Sequence, residues 1–105
     1  MSEPLVVFCT CPSRETALEL ARAAVEAHAA ACVNVVPGLT SVYRWQEAIH
    51  EDTEVLLVAK TTRARYAELE AVLRARHPYE LPEVIAVPVA MGSPAYLQWL
   101  ADVTA

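Results

Sequence analysis

Two glycines in 105 residues are too few for the Gly-rich loop that cradles phosphate groups, and no such loop is written in the chain. Basic residues are also scarce. Eight Lys plus Arg stand against 13 Asp plus Glu, a net charge of -5, which argues against gripping a nucleic-acid backbone by charge. No apolar run approaches the ~20 residues needed to span a bilayer. Three cysteines, an odd number with no C-x-x-C pair, do not make a disulfide framework and fit reduced thiols. Met1-Ser2-Glu3-Pro4 leads straight into a strand-like segment without a basic n-region, so the expected location is the cytosol. A chain of this length reads as one domain, residues 1–105, with a core of moderate size.

What is present is organised around residues 32–61. Leu39, Ser41, Tyr43 and Trp45 alternate with Thr40, Val42 and Arg44, a period of two in residue types that suit a pleated surface. After a polar break at Glu51-Asp52, the apolar run Val55 to Ala59 reads as a strand covered on both faces. Together they predict a long antiparallel hairpin. Its outer Tyr, Trp and Val side chains need more partner surface than so short a chain supplies, so oligomerisation is expected.

The remaining elements follow in order. Leu5 to Thr10, bounded by Pro4 and Pro12, predicts a central first strand. Ser13 then caps a helix reaching about His28, with Glu15, Glu19, Arg22 and Glu26 outward and Ala17, Leu18, Ala21, Ala24 and Val25 inward. Position 16 is Thr, so the capping box is partial. Ala29 to Val36 begins strand two, with a kink expected at Pro37-Gly38 before it continues to about Trp45. Thr61 or Thr62 caps a second helix that presents Tyr66, Leu69, Val72 and Leu73 on one face and ends at His77 before Pro78. Val84 to Val89 predicts a fourth strand at an edge, because Pro88 cannot donate to a ladder. A last helix from Ser93-Pro94 to about Val103 docks through Tyr96, Leu97, Trp99 and Leu100. The order β, α, β, β, α, β, then α predicts an α+β fold, the split βαβ ferredoxin-like arrangement: an antiparallel sheet with helices on one face, plus an extra C-terminal helix.

Several stretches are familiar in register. Ala30-Ala31-Cys32-Val33-Asn34, Pro37 through Trp45, Lys60-Thr61-Thr62, and His77-Pro78-Tyr79-Glu80-Leu81-Pro82-Glu83 resemble the CutA family of divalent-ion tolerance proteins. Val7-Phe8-Cys9-Thr10, Gly92 and Tyr96-Leu97-Gln98-Trp99-Leu100 extend the resemblance over nearly the whole chain. It implies a subunit related in architecture to the PII signalling proteins, joined as a homotrimer through the long hairpin. It further implies a bacterial cytoplasmic protein, not an enzyme, associated with tolerance of copper and other divalent cations. At the hairpin tip the family usually has a Gly two residues after the Trp, where this chain has Trp45-Gln46-Glu47-Ala48; without Gly the tip is not expected to adopt positive φ easily. Cys11 is a second departure, a thiol where the family more often has none.

The resemblance also carries a ligand set. The family residues associated with copper fall on Cys9, His77 and Glu83, whose thiolate, imidazole and carboxylate are all ligands for first-row metals, copper or another divalent metal such as zinc included. Each residue has a plainer reading beside it. Cys9 in an apolar strand reads first as a packed thiol, His77 equally as a group that satisfies a helix end, and Glu83 as a solvated carboxylate or a partner for Lys60 or an Arg. Cys9 and Cys11 share one face of an extended strand and could chelate a soft ion, although Pro12 ends that strand. Cys32 reads as packing, and His28 and His50 as isolated surface residues. Tyr43, Arg44 and Trp45 read as a subunit interface, or as the lining of a cleft for an anionic ligand. A scaffold or small-molecule sensor with clefts between subunits is the alternative to metal binding. A thiol enzyme would need a base for Cys9 or Cys11, and only His77 offers one.

Overall fold

The computed structural model describes residues 2–105. Its elements are β1 (Pro4–Cys11), α1 (Arg14–Glu26), β2 (Cys32–Trp45), β3 (Ala48–Thr62), α2 (Arg63–Arg76), β4 (Ile85–Pro88) and α3 (Pro94–Val103). The strands pair antiparallel in the order β2-β3-β1-β4. This is the expected ferredoxin-like arrangement, with β1 central and β4 at the edge.

Alternation along β1 decides where the core lies. Val7, Cys9 and Cys11 are buried and meet Val55, Leu57 and Ala59 of β3, Ala17, Leu20, Ala21 and Ala24 of α1, and Leu69 and Leu73 of α2. Leu20, absent from the predicted inward stripe, is fully buried, whereas Val25 is exposed and Leu18 only half-buried. The inward stripe is therefore turned slightly from the predicted one. α1 starts as expected, with the Ser13 hydroxyl accepting from the Thr16 N–H and donating to Thr16 Oγ1. It stops two residues early. His28 takes φ 58°, its N–H donates to the Val25 carbonyl and the Ala29 N–H to the Ala24 carbonyl, a Schellman closure made without glycine.

α2 begins at the expected residue, but neither threonine caps it through its side chain. Thr62 makes no capping bond, and the Thr61 hydroxyl donates to the Ala29 carbonyl at 2.6 Å. The first helical N–H groups are satisfied from the start of the chain instead: Arg63 N–H donates to the Glu3 carbonyl and Ala64 N–H to the Ser2 hydroxyl. α3 lies against β3 and β1 with Leu100 buried, while the Tyr96 and Trp99 rings meet at a tilt and remain exposed. Only part of its predicted docking face is therefore docked within one chain.

The hairpin of β2 and β3 pairs continuously from Cys32↔Lys60 to Trp45↔Ala48 apart from one bulge, and stretches the molecule to 44 Å against 25 and 22 Å across. Glu51 and Asp52 do not break it, because at this distance from the core both faces meet water and polar residues fit the ladder. The kink appears where predicted. Pairing jumps from Val36↔Leu56 to Leu39↔Glu54, and Gly38 takes φ 83°.

The two-residue tip departs from expectation. Gln46 and Glu47 take φ 49° and 65°, the conformation of a type I′ turn, although neither is the Asn or Gly that such a turn prefers. The right-handed twist of two long arms demands this turn, and the arms impose it. Replacing Gln46-Glu47 by Asn-Gly is expected to stabilise the fold by about 1 kcal/mol, read as a raised midpoint of thermal unfolding at fixed chain concentration. An unchanged or lowered midpoint would show that the tip carries no strain.

The sheet's other face has no helix pair on it. Across all four strands run Asn34, Val58, Phe8 and Ile85, flanked by Val36 and Leu56 on one side and Val6 and Val87 on the other. Phe8, Val6, Leu56 and Val58 are half-buried, and Val36, Ile85 and Val87 are exposed. The run Val55 to Ala59 is thus apolar on both faces, as read, but within one chain only its helix side is covered.

Candidate metal centre

The period of two places Cys9 and Cys11 on the helix side of β1, opposite Leu57 and Val55. The end of α2 then brings His77 over them. One donor atom from each of Cys9, Cys11 and His77 lies within 4.8 Å of the others, and all three residues are buried. Of the expected ligand set, Cys9 and His77 are brought together. Cys11 joins them, and Glu83 stays outside this group, exposed on the wall of a neighbouring cleft. Glu83 does not pair with Lys60, whose ammonium donates to Asn34 Oδ1.

The thiols interact directly. The hydrogen bond to Cys11, and after it burial, hold Cys9 well above the usual thiol range, and the same bond lowers Cys11. Cys11 has no exposed surface and Cys9 almost none, so neither can meet a substrate as a nucleophile in this conformation. The thiol-enzyme reading loses its support there.

His77 is held at both ring nitrogens. Nδ1 accepts from the Tyr79 N–H at 3.1 Å, which leaves Nε2 protonated and donating to the Thr10 carbonyl at 2.8 Å. Its ring also sits 4.7 Å from that of Tyr79. The Tyr79 hydroxyl donates in turn to Glu54, a carboxylate on β3 that is 6% exposed. Burial and then this bond push the Tyr79 hydroxyl well above the usual phenol range. A chain of contacts therefore ties β1, β3 and the segment after α2 into one cluster.

Beside that cluster lies a cleft of about 680 Å³, lined among others by Tyr43, Trp45, Glu54, Tyr79 and Glu83. Arg44 is not part of its wall, since its side chain belongs to the opposite face of the hairpin. The lining carries the carboxylates Glu54, Glu80 and Glu83 and no Lys or Arg. His50 is not isolated: it stacks on Tyr43 at 5.5 Å and its Nε2 contacts the Trp45 carbonyl at 3.3 Å. His28 likewise reaches the Val103 carbonyl through Nδ1 at 3.1 Å and fastens α3 to the end of α1. Cys32 lies half-buried on the sheet's open face, opposite Lys60.

The donor set fits a thiophilic metal ion. Two sulfurs and an imidazole suit copper or zinc, and a hard oxygen-preferring ion such as magnesium poorly. No helix among the described residues is long and apolar enough to cross a membrane.

Comparison with known proteins agrees with this architecture. Over 99 residues the chain is 50% identical to the divalent-cation tolerance protein CutA of Thermus thermophilus, covering 94% of this chain and 96% of that protein. It is also 50% identical to protein CutA of Mus musculus over 92% of its own length, but spans only 55% of the mouse protein. The solved structure of the Thermus thermophilus divalent cation tolerance protein superposes with a TM-score of 0.95 at 49% identity, over 97% of this chain and 99% of that one. Residues 5–103 match the family described as CutA1 divalent ion tolerance protein, and the chain belongs to that family.

Proposed function

We propose that this chain works as a homotrimeric metal-binding protein of the cytoplasm that takes part in tolerance of divalent cations and catalyses no reaction. Copper is the ion the site suits best, with zinc as the nearest competitor, and Cys9 and His77 are the ligands. One observation carries this reading: the Cys9 thiol and the His77 ring, 68 residues apart in sequence, converge within 4.8 Å of each other in the core. The open apolar face of the sheet, together with the hairpin bearing Tyr43, Arg44 and Trp45, supports the trimer. Buried thiols with no cystine partner suit a reducing compartment.

The test is titration of the reduced, metal-free protein with copper and zinc. About one ion per chain is expected, lost in Cys9→Ala while the fold persists by circular dichroism. Full retention of the ion in that variant would remove Cys9 from the site, and no ion bound by the parent would end the metal reading.

A second reading, a small-molecule sensor, draws on the cleft between the hairpin and the His77–Glu83 segment. Its carboxylate lining favours a cationic occupant over the anionic one suggested by the Tyr43-Arg44-Trp45 segment. A thermal-shift screen of amines against organic anions separates the two.

A further inference from the structure

We propose that Cys11 is a ligand in its own right, and that Cys9, Cys11 and His77 form a buried three-coordinate site for a monovalent soft ion, Cu(I). The proposal deepens the metal reading above and depends on it. It starts from a position where sequence resemblance supplies no role: Cys11 has no exposed surface, faces the core beside Cys9, and has its sulfur in the same group as the Cys9 sulfur and a His77 ring nitrogen.

Coordination number selects the ion. Metal bonds of about 2.0–2.3 Å to nitrogen and sulfur place three donors in a trigonal plane roughly 4 Å apart, so a group already within 4.8 Å closes on an ion by small side-chain rotations. No fourth His, Cys, Asp or Glu belongs to this group among the described residues. Zn(II) prefers four ligands, and this group offers three. A trigonal Cu(I) ion needs no fourth, and two thiolates are the ligands it favours.

The hydrogen bonds of His77 rank the three donors. Both ring nitrogens are already engaged, with Thr10 and with Tyr79, so binding an ion costs the ring one of those bonds. The thiols give up less to the backbone, since the contact from Cys9 Sγ to the Thr10 carbonyl is long, at 3.9 Å. Cys9 and Cys11 are the anchors and His77 the weaker third donor. Loading displaces thiol protons and transfers no electron, because the ion arrives already reduced.

The experiment is anaerobic competition for Cu(I) between the full reduced protein and a chromogenic Cu(I) chelator, with X-ray absorption on the loaded parent. One Cu(I) per chain with two sulfur neighbours is expected, and Cys11→Ser is expected to weaken binding roughly 100-fold, more than His77→Gln does. Cys11→Val, which keeps the core apolar, replaces the serine variant should that one fail to fold; the sulfur count on the parent stands in either case. A single sulfur neighbour, or unchanged affinity in the Cys11 variants while Cys9→Ser loses the ion, overturns this proposal and leaves the metal reading intact. Zn(II) held as tightly as Cu(I) also overturns it. A parent that takes up no ion at all overturns both.

Discussion

Val58→Glu is expected to convert the proposed trimer to single subunits at micromolar concentration, measured by sedimentation velocity or light scattering, with the helical circular dichroism retained. Val58 occupies β3 in the middle of the open face, between Asn34 of β2 and Phe8 of β1, with Ile85 next along the same row. Because Val58 is only half-buried in one chain, a carboxylate there still reaches water in the monomer and costs the fold little. Once a second subunit covers the face, the same charge is buried among Phe8, Leu56 and Ile85 without a partner, and that costs several kcal/mol at each copy. Three such penalties in one assembly exceed what an interface of ordinary size leaves in reserve. Val58→Thr, nearly the same shape and uncharged, is the control expected to remain a trimer. A full-sized assembly from Val58→Glu would mean that the sheet's open face is not the seam, and would shift attention to the hairpin side chains Val42 and Ile49, which are 67% and 69% exposed on its opposite face.

The residues that were legible in the sequence are those whose signal is local. Pro4 and Pro12 fenced β1, the alternation of Leu39 to Trp45 marked the hairpin arm, Pro37-Gly38 marked the bulge, and Pro88 marked an edge. Strand parity alone put Cys9 and Cys11 on one face. What could not be read were contacts made across long stretches of chain. His77 reaches Thr10 from 67 positions away and His28 reaches Val103 from 75, so neither partner was visible in the sequence and His28 looked unattached until the fold closed. The capping of α2 was misread for the same reason, its donors being met by Ser2 and Glu3 and not by an adjacent hydroxyl. The tip was misread for another. Glycine is the usual signature of positive φ, and here the twist of two paired arms forces Gln46 and Glu47 into it regardless of their type. Leu20 was missed because α1 carries apolar residues around more than half its circumference, and only the docked sheet shows which arc is inward.

His77→Ala is expected to lower the stability of the metal-free protein by about 2–4 kcal/mol, seen as an earlier midpoint in urea at fixed chain concentration. The ring is 9% exposed and bridges the Thr10 carbonyl on β1 to the Tyr79 N–H beyond α2. Its removal leaves a cavity and takes from both backbone groups the partner they now have. Tyr79 in turn loses its ring contact and the restraint that aims its hydroxyl at Glu54, whose buried carboxylate then needs water. Cys9→Ala removes one sulfur from the same cluster and no strong hydrogen bond, so it is expected to cost only about 1–2 kcal/mol. His77→Gln, long enough to keep donating to Thr10, belongs between them. This ordering separates two roles that a loss of metal affinity alone would merge, because a ligand that is also a clamp weakens binding when the clamp fails. If His77→Ala unfolds no earlier than Cys9→Ala, the histidine is not holding the segment after α2, and any metal it loses is lost as a ligand.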